Sequence, residues 1–109
     1  MKKIFKYDLH YYSTPEIVRL PKSAIVVDFA IQDKSFKIWA LVDPENSPEE
    51  RVFCLVMTGQ EIPWKVNKIF GTKIIQETGI VVHLLELDKE TKASDSLKDD
   101  RLNKSSDKN

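Results

Sequence analysis

The stretch Ala24-Ile25-Val26-Val27-Asp28-Phe29-Ala30-Ile31-Gln32-Asp33-Lys34-Ser35-Phe36-Lys37-Ile38-Trp39-Ala40-Leu41-Val42-Asp43 decides the fold class. Its apolar residues recur at every second position. Ile25, Val27, Phe29 and Ile31 alternate with Val26, Asp28, Ala30 and Gln32; after Asp33-Lys34-Ser35, Phe36, Ile38, Ala40 and Val42 alternate with Lys37, Trp39, Leu41 and Asp43. Period two, carried by β-branched and aromatic residues around a short polar turn, predicts a hairpin with strands at about 24–32 and 36–43. The second face of this hairpin carries Val26, Trp39 and Leu41, so both faces are expected to be covered at least in part, as in a sandwich or small barrel.

The same pattern continues outward in both directions. Upstream, 3–9 and 15–20 read as strands, the second closed by Pro21-Lys22-Ser23. Downstream, Pro44-Glu45-Asn46-Ser47-Pro48-Glu49-Glu50 reads as a loop, because prolines and acids exclude it from a central strand. Strands are predicted at 51–58, at 67–75 with an interruption at Gly71, and at 80–87. No window has a convincing helical period, and one short helical turn at 63–66 is allowed. About seven short strands at regular spacing predict an all-β fold, a small antiparallel sandwich or partly open barrel. The last strand, Ile80 to Leu87, has few polar residues for an edge and is expected to be central or paired across a dimer. Residues 88–109 have no aromatic residue, few aliphatics and many charges, which predicts a disordered C-terminal tail after a single domain at 1–87.

Composition limits function more than it defines it. With 109 residues, 41% hydrophobic and 31% charged, the chain has one ordinary hydrophobic core and no room for a deep cavity with a separate lid. Its 17 basic and 17 acidic residues balance, so the net basic excess of a dedicated nucleic-acid binder is missing and nucleic acid is not an expected partner. No apolar run approaches the ~20 residues that span a bilayer, and Met1-Lys2-Lys3 is not followed by the apolar stretch of a signal peptide. The expected location is therefore cytoplasmic. The single cysteine, Cys54, lies in the apolar run Val52–Met57 and reads as a buried, inert thiol.

No residue set reads as an active site. The two histidines, His10 and His83, and Cys54 are far apart in sequence, so no metal site and no cofactor are expected. Cys54 and His83 could meet if strands 51–58 and 80–87 pair, but nothing local would activate the thiol. No enzymatic activity is expected. The aromatic residues are the better candidates for contact with a partner. Tyr11 and Tyr12 follow His10, Trp39 lies on the second face of the hairpin, Trp64 follows Pro63, and His83 sits among apolar residues. Rings of this kind anchor protein interfaces. The structural alternative is that Tyr11 and Tyr12 cover a sheet edge and His83 occupies the less buried face of a sheet. For Trp39, the apolar neighbours Val26 and Leu41 favour a second layer covering the ring over an exposed interface anchor.

Several segments together carry a resemblance: Ile4-Phe5-Lys6-Tyr7, Leu20-Pro21-Lys22-Ser23-Ala24-Ile25, Ile38-Trp39-Ala40-Leu41-Val42-Asp43-Pro44, Thr58-Gly59-Gln60-Glu61-Ile62-Pro63 and Val81-Val82-His83-Leu84-Leu85-Glu86. In this order they resemble a family of small bacteriophage and prophage proteins of unknown function, over about residues 3–87. Members often have glycine after Leu-Pro-Lys, where this chain has Ser23. The resemblance implies a phage origin and a place in the host cytoplasm. It also implies the habit of small accessory phage proteins: binding a host protein, such as a defence-system component, and modulating or inhibiting it. A homo-oligomer is compatible with that role. Two alternatives are a sequestering protein for a small signalling nucleotide, held by aromatics and lysines, and a minor structural component of the virion.

Overall fold

The computed structural model describes residues 1–95. Eight strands follow one another along the chain: β1 (Lys3–Asp8), β2 (Glu16–Pro21), β3 (Ile25–Gln32), β4 (Ser35–Val42), β5 (Pro48–Met57), β6 (Val66–Ile74), β7 (Val81–Leu87) and β8 (Ser94–Asp95). They form two sheets, one ordered β1-β4-β3 and the other β6-β7-β5-β2-β8. All pairings are antiparallel except the short β2–β8 contact. The fold is thus the expected all-β sandwich, with no closed barrel and no helix among the described residues. The turn allowed at 63–66 does not become helical; Pro63 and Trp64 run irregularly into β6.

The core lies between the sheets. Phe29, Phe36, Ile38, Ala40 and Val42 from the three-stranded sheet meet Val18, Leu20, Phe53, Leu55, Val82 and Leu84 from the five-stranded one. A fully buried side chain of this size contributes roughly 1.5–3 kcal/mol through lost apolar surface. The five-stranded sheet has a second apolar face. There Val52, Cys54, Val56, Leu85 and Leu87 are buried beneath Trp64, Val66 and Ala93. Two buried faces explain why Val52 through Val56 form an unbroken apolar run instead of alternating. They also explain why β7 is internal, between β6 and β5.

Four details differ from the expected pattern, each for a physical reason. A bulge between Val26 and Asp28 adds a residue to β3, so Val26 faces the core with Phe29 while Ile25 turns outward beside Leu41. Strict alternation places Val26 and Ile25 on the wrong faces. β5 begins at Pro48, inside the expected loop, because Pro48 and Glu49 pair with β2 while β7 has already ended at Leu87. A proline is tolerated where the strand has a free side. Described structure also continues past residue 87, where the sequence places the end of the domain. Asp88 N–H donates to the Lys65 carbonyl at 2.9 Å, Ala93 packs on the outer cluster, and β8 extends the sheet alongside Glu16 and Ile17. Arg19 secures that strand, donating from Nη1 to Asp95 Oδ1 at 2.9 Å. The remainder of the expected tail, 96–109, lies outside the described residues. Finally, no second layer of described residues covers Trp39, which is half-buried.

Candidate binding site at the open end of the sandwich

The two ends of the sandwich are built differently. At one end Arg51 closes the core. Its Nε and Nη2 donate to the two oxygens of Glu86, each at 2.7 Å, and its Nη1 donates to the Ala24 carbonyl at 2.6 Å. The guanidinium also lies over the Phe53 ring, 5.5 Å from its centroid. Hydrogen bonding to Glu86 raises the Arg51 pKa and holds the charge in place. The fork of donors thus ties both sheets together over the core.

At the other end the sheets separate between two hairpin turns. The β3–β4 turn is Asp33-Lys34, with φ +54° and +69°, a type I′ geometry suited to the twist of a hairpin. The β6–β7 turn runs through Gln76–Gly79, where Gly79 N–H donates to the Ile75 carbonyl at 2.7 Å. Between them opens a cleft of about 700 Å³. Its apolar lining is Tyr12, Ile31, Met57, Ile75 and Ile80, and its polar lining is Lys34, Glu77 and Thr78. Tyr12, Ile31, Met57 and Ile80 are between 38 and 49% exposed, although each is large and apolar. Tyr12 is positioned by an edge-on contact with the buried Phe36 ring, at 6.1 Å between centroids. Nearby, Ser13 N–H donates to the Leu55 carbonyl at 2.7 Å, and the Ser13 hydroxyl donates to Gln60 Oε1 at 2.8 Å.

The chain between β1 and β2 is held by a contact between residues six apart. The buried carboxylate of Glu16 accepts the His10 backbone N–H at 2.9 Å, and its other oxygen lies 2.6 Å from His10 Nδ1. Tyr11, next in the chain, is half-buried with its ring 6.3 Å from that of His10.

Of the five aromatic and histidine candidates, only Tyr12 lines this cleft. Trp64 is half-buried against the outer cluster of the five-stranded sheet and serves that second core. His83 lies on the same outer face, clamped between two hydroxyls: Thr58 Oγ1 at 2.8 Å from Nε2 and Thr72 Oγ1 at 2.9 Å from Nδ1. Trp39 is half-buried on the outer face of the three-stranded sheet, in register with Lys6 and Asp28. The structure therefore does not bring the five together. The cleft residues missed by period-two reading are Ile31, Lys34, Met57, Ile75, Glu77 and Ile80. One signal was available: apolar residues directly flanking two hairpin turns, where polar ones would be usual.

The chemistry at hand is that of binding. Cys54 and His83 do lie on one face of neighbouring strands, but Cys54 pairs with Leu85 and His83 with Val56, and His83 is engaged by the threonines. Burial, with help from the Glu16 charge, pushes the Cys54 thiol up to about 11, away from thiolate reactivity. Among the described residues no group of three or more His, Cys, Asp and Glu side chains could hold a metal ion. No helix among them is long and apolar enough to cross a membrane.

Fold and site together define a class: a small open β-sandwich with a polar closure at one end and an apolar cleft at the other. The chain belongs to a family described as a domain of unknown function, DUF7352, which matches residues 1–94. The match ends at β8, in keeping with a domain that continues past residue 87. Comparison with curated proteins and comparison with solved structures find no match.

Proposed function

We propose that this is a phage accessory protein without enzymatic activity that binds a host protein in the host cytoplasm and modulates or inhibits it, using the open end of the sandwich. The observation that carries the reading is the cleft, where four large apolar side chains remain in water around a concave surface. Leaving such a patch uncovered is characteristic of interaction sites. The phage origin and the kind of partner, for which a bacterial defence component is a candidate, come from the sequence resemblance alone. Sequestration of a nucleotide finds less support, because only one lysine lines the cleft and a phosphate chain calls for more cations.

The test is a photo-reactive benzoylphenylalanine placed at Tyr12 in the full chain expressed in the host bacterium, with a second probe at Glu45, in the loop between β4 and β5. The expected result is one host protein cross-linked from position 12, absent from position 45, and lost on Met57→Asp. Absence of any such protein, or equal capture by the Met57→Asp variant, would contradict the proposal.

A further inference from the structure

The rim of the cleft carries one charge of each sign, contributed by opposite hairpins. Lys34 comes from the β3–β4 turn and Glu77 from the β6–β7 turn. Both are exposed, and neither makes an ion pair or side-chain hydrogen bond with another described residue. This sets them apart from most of the charges that border the core elsewhere. Arg51 is paired with Glu86, Lys37 with Asp8, Lys73 with Asp28 and Arg19 with Asp95.

Lys34 shares a left-handed backbone with Ser13, Ser23 and Asp33. Its φ of +69° lies in the left-handed region, where a residue with a Cβ costs about 1 kcal/mol or more relative to glycine. The second central position of a type I′ turn is where glycine is most favoured. What marks Lys34 out is its ammonium, which pairs with no other described residue and stands at the mouth of an apolar cleft.

We propose that the cleft takes an extended peptide segment of a partner protein in which a large apolar side chain is flanked by an acidic residue on the Lys34 side and a basic residue on the Glu77 side. The proposal rests on the reading of the open end as the binding surface and adds the chemistry of the ligand. The apolar anchor fills the space among Ile31, Met57, Ile75 and Ile80. The flanking charges answer the two rim groups and set the direction in which the peptide lies. A nucleotide would find one cation for several phosphate charges. A peptide alone supplies both signs on either side of an apolar group.

The experiment selects from a random peptide library with a fixed central leucine against the full chain. Selected peptides are expected to carry an acid on one side of the leucine and a base on the other. Lys34→Glu and Glu77→Lys should each weaken the selected peptide about threefold, the scale of exposed ion pairs. The two exchanges combined should select peptides with the charges in reverse order. Lys34→Gly, which suits the turn conformation and keeps the fold, should lose the acidic preference alone. Selection without charge preference, a preference unchanged by the double exchange, or no selection at all would overturn the proposal. If charge preference is absent but Met57→Asp still abolishes partner capture, the peptide chemistry fails while the open end stands; if Met57→Asp leaves capture intact, both fail.

Discussion

The closed end and the open end of this sandwich solve the same problem in opposite ways. Both must finish a core between two diverging sheets. At the closed end one arginine uses its five-donor fork on Glu86 and the Ala24 carbonyl and its flat face on Phe53, so the core ends under a paired charge. At the open end no such lid exists among the described residues. Apolar residues remain partly exposed, and the two charges that line the cleft, Lys34 and Glu77, pair with no described residue. The contrast teaches how the same core can be finished in two ways: a paired charge seals one end, and the proposed function assigns the unsealed end to a partner.

The largest expected effect comes from breaking the closure. Glu86→Ala leaves the Arg51 guanidinium partly buried without its counter-charge, which should cost about 3 kcal/mol. Denaturant unfolding would measure it, and partner capture by the remaining folded protein should be unchanged. A loss below ~0.5 kcal/mol, the range of ordinary surface substitutions, would show that the ion pair does not seal this end.

The next effect belongs to binding. Met57→Asp places a charge on an exposed cleft residue, so unfolding free energy should shift by no more than ~0.5 kcal/mol. Affinity for the partner should fall at least about tenfold, as for loss of an apolar anchor surface. A variant equally competent in binding would remove the functional half of the contrast.

A matched pair of glycine substitutions sharpens it. Ser23, near the closed end, has φ +67° in a turn closed by Ala24 N–H donating to the Pro21 carbonyl at 3.2 Å; Lys34, at the open end, has φ +69°. Ser23→Gly and Lys34→Gly should each stabilise the fold by about 1 kcal/mol, since glycine pays no Cβ penalty there. Only Lys34→Gly should weaken binding.

The smallest effect lies between the two ends. Lys73 donates a hydrogen bond to Asp28 at 2.9 Å across the β6–β3 corner and holds its carboxyl below the usual range. A depressed carboxylate stabilises the fold above its unfolded pKa of about 4, and that contribution is lost as pH falls through the lower folded value. Asp28→Asn should therefore lower the neutral plateau slightly and leave stability at low pH nearly unchanged, so that the acid limb flattens. An unchanged acid limb would show that the contact is not maintained in solution.

Much of the architecture could be read from alternation alone. The hairpin at 24–43, the strand at 80–87 and its internal position all follow from period-two apolar residues. What escaped is what alternation cannot encode. The bulge at Val27 reverses the faces of Ile25 and Val26, and that reversal removed the main reason to expect a covering layer over Trp39. Trp39 is half-buried, in register with Lys6 and Asp28 of its own sheet, so Trp39→Ala should cost less than the ~3–5 kcal/mol of a fully buried aromatic. β8 escaped because two residues give no period, and its anchor, Arg19 with Asp95, is 76 residues apart. The cleft escaped because its walls come from four separate segments that only the two-sheet packing brings to one end.

Methyl NMR of the protein titrated with its captured partner tests the central claim most directly, because isoleucines mark both exposed apolar surfaces. Ile31, Ile75 and Ile80 report on the open end, while Ile4 and Ile25, 58 and 54% exposed, report on the outer face around Trp39. The account predicts that the Ile31, Ile75 and Ile80 methyl signals, and that of Met57, shift on binding while Ile4 and Ile25 do not. Shifts confined to Ile4 and Ile25, with the cleft methyls unmoved, would contradict it and transfer the binding surface to the Trp39 face.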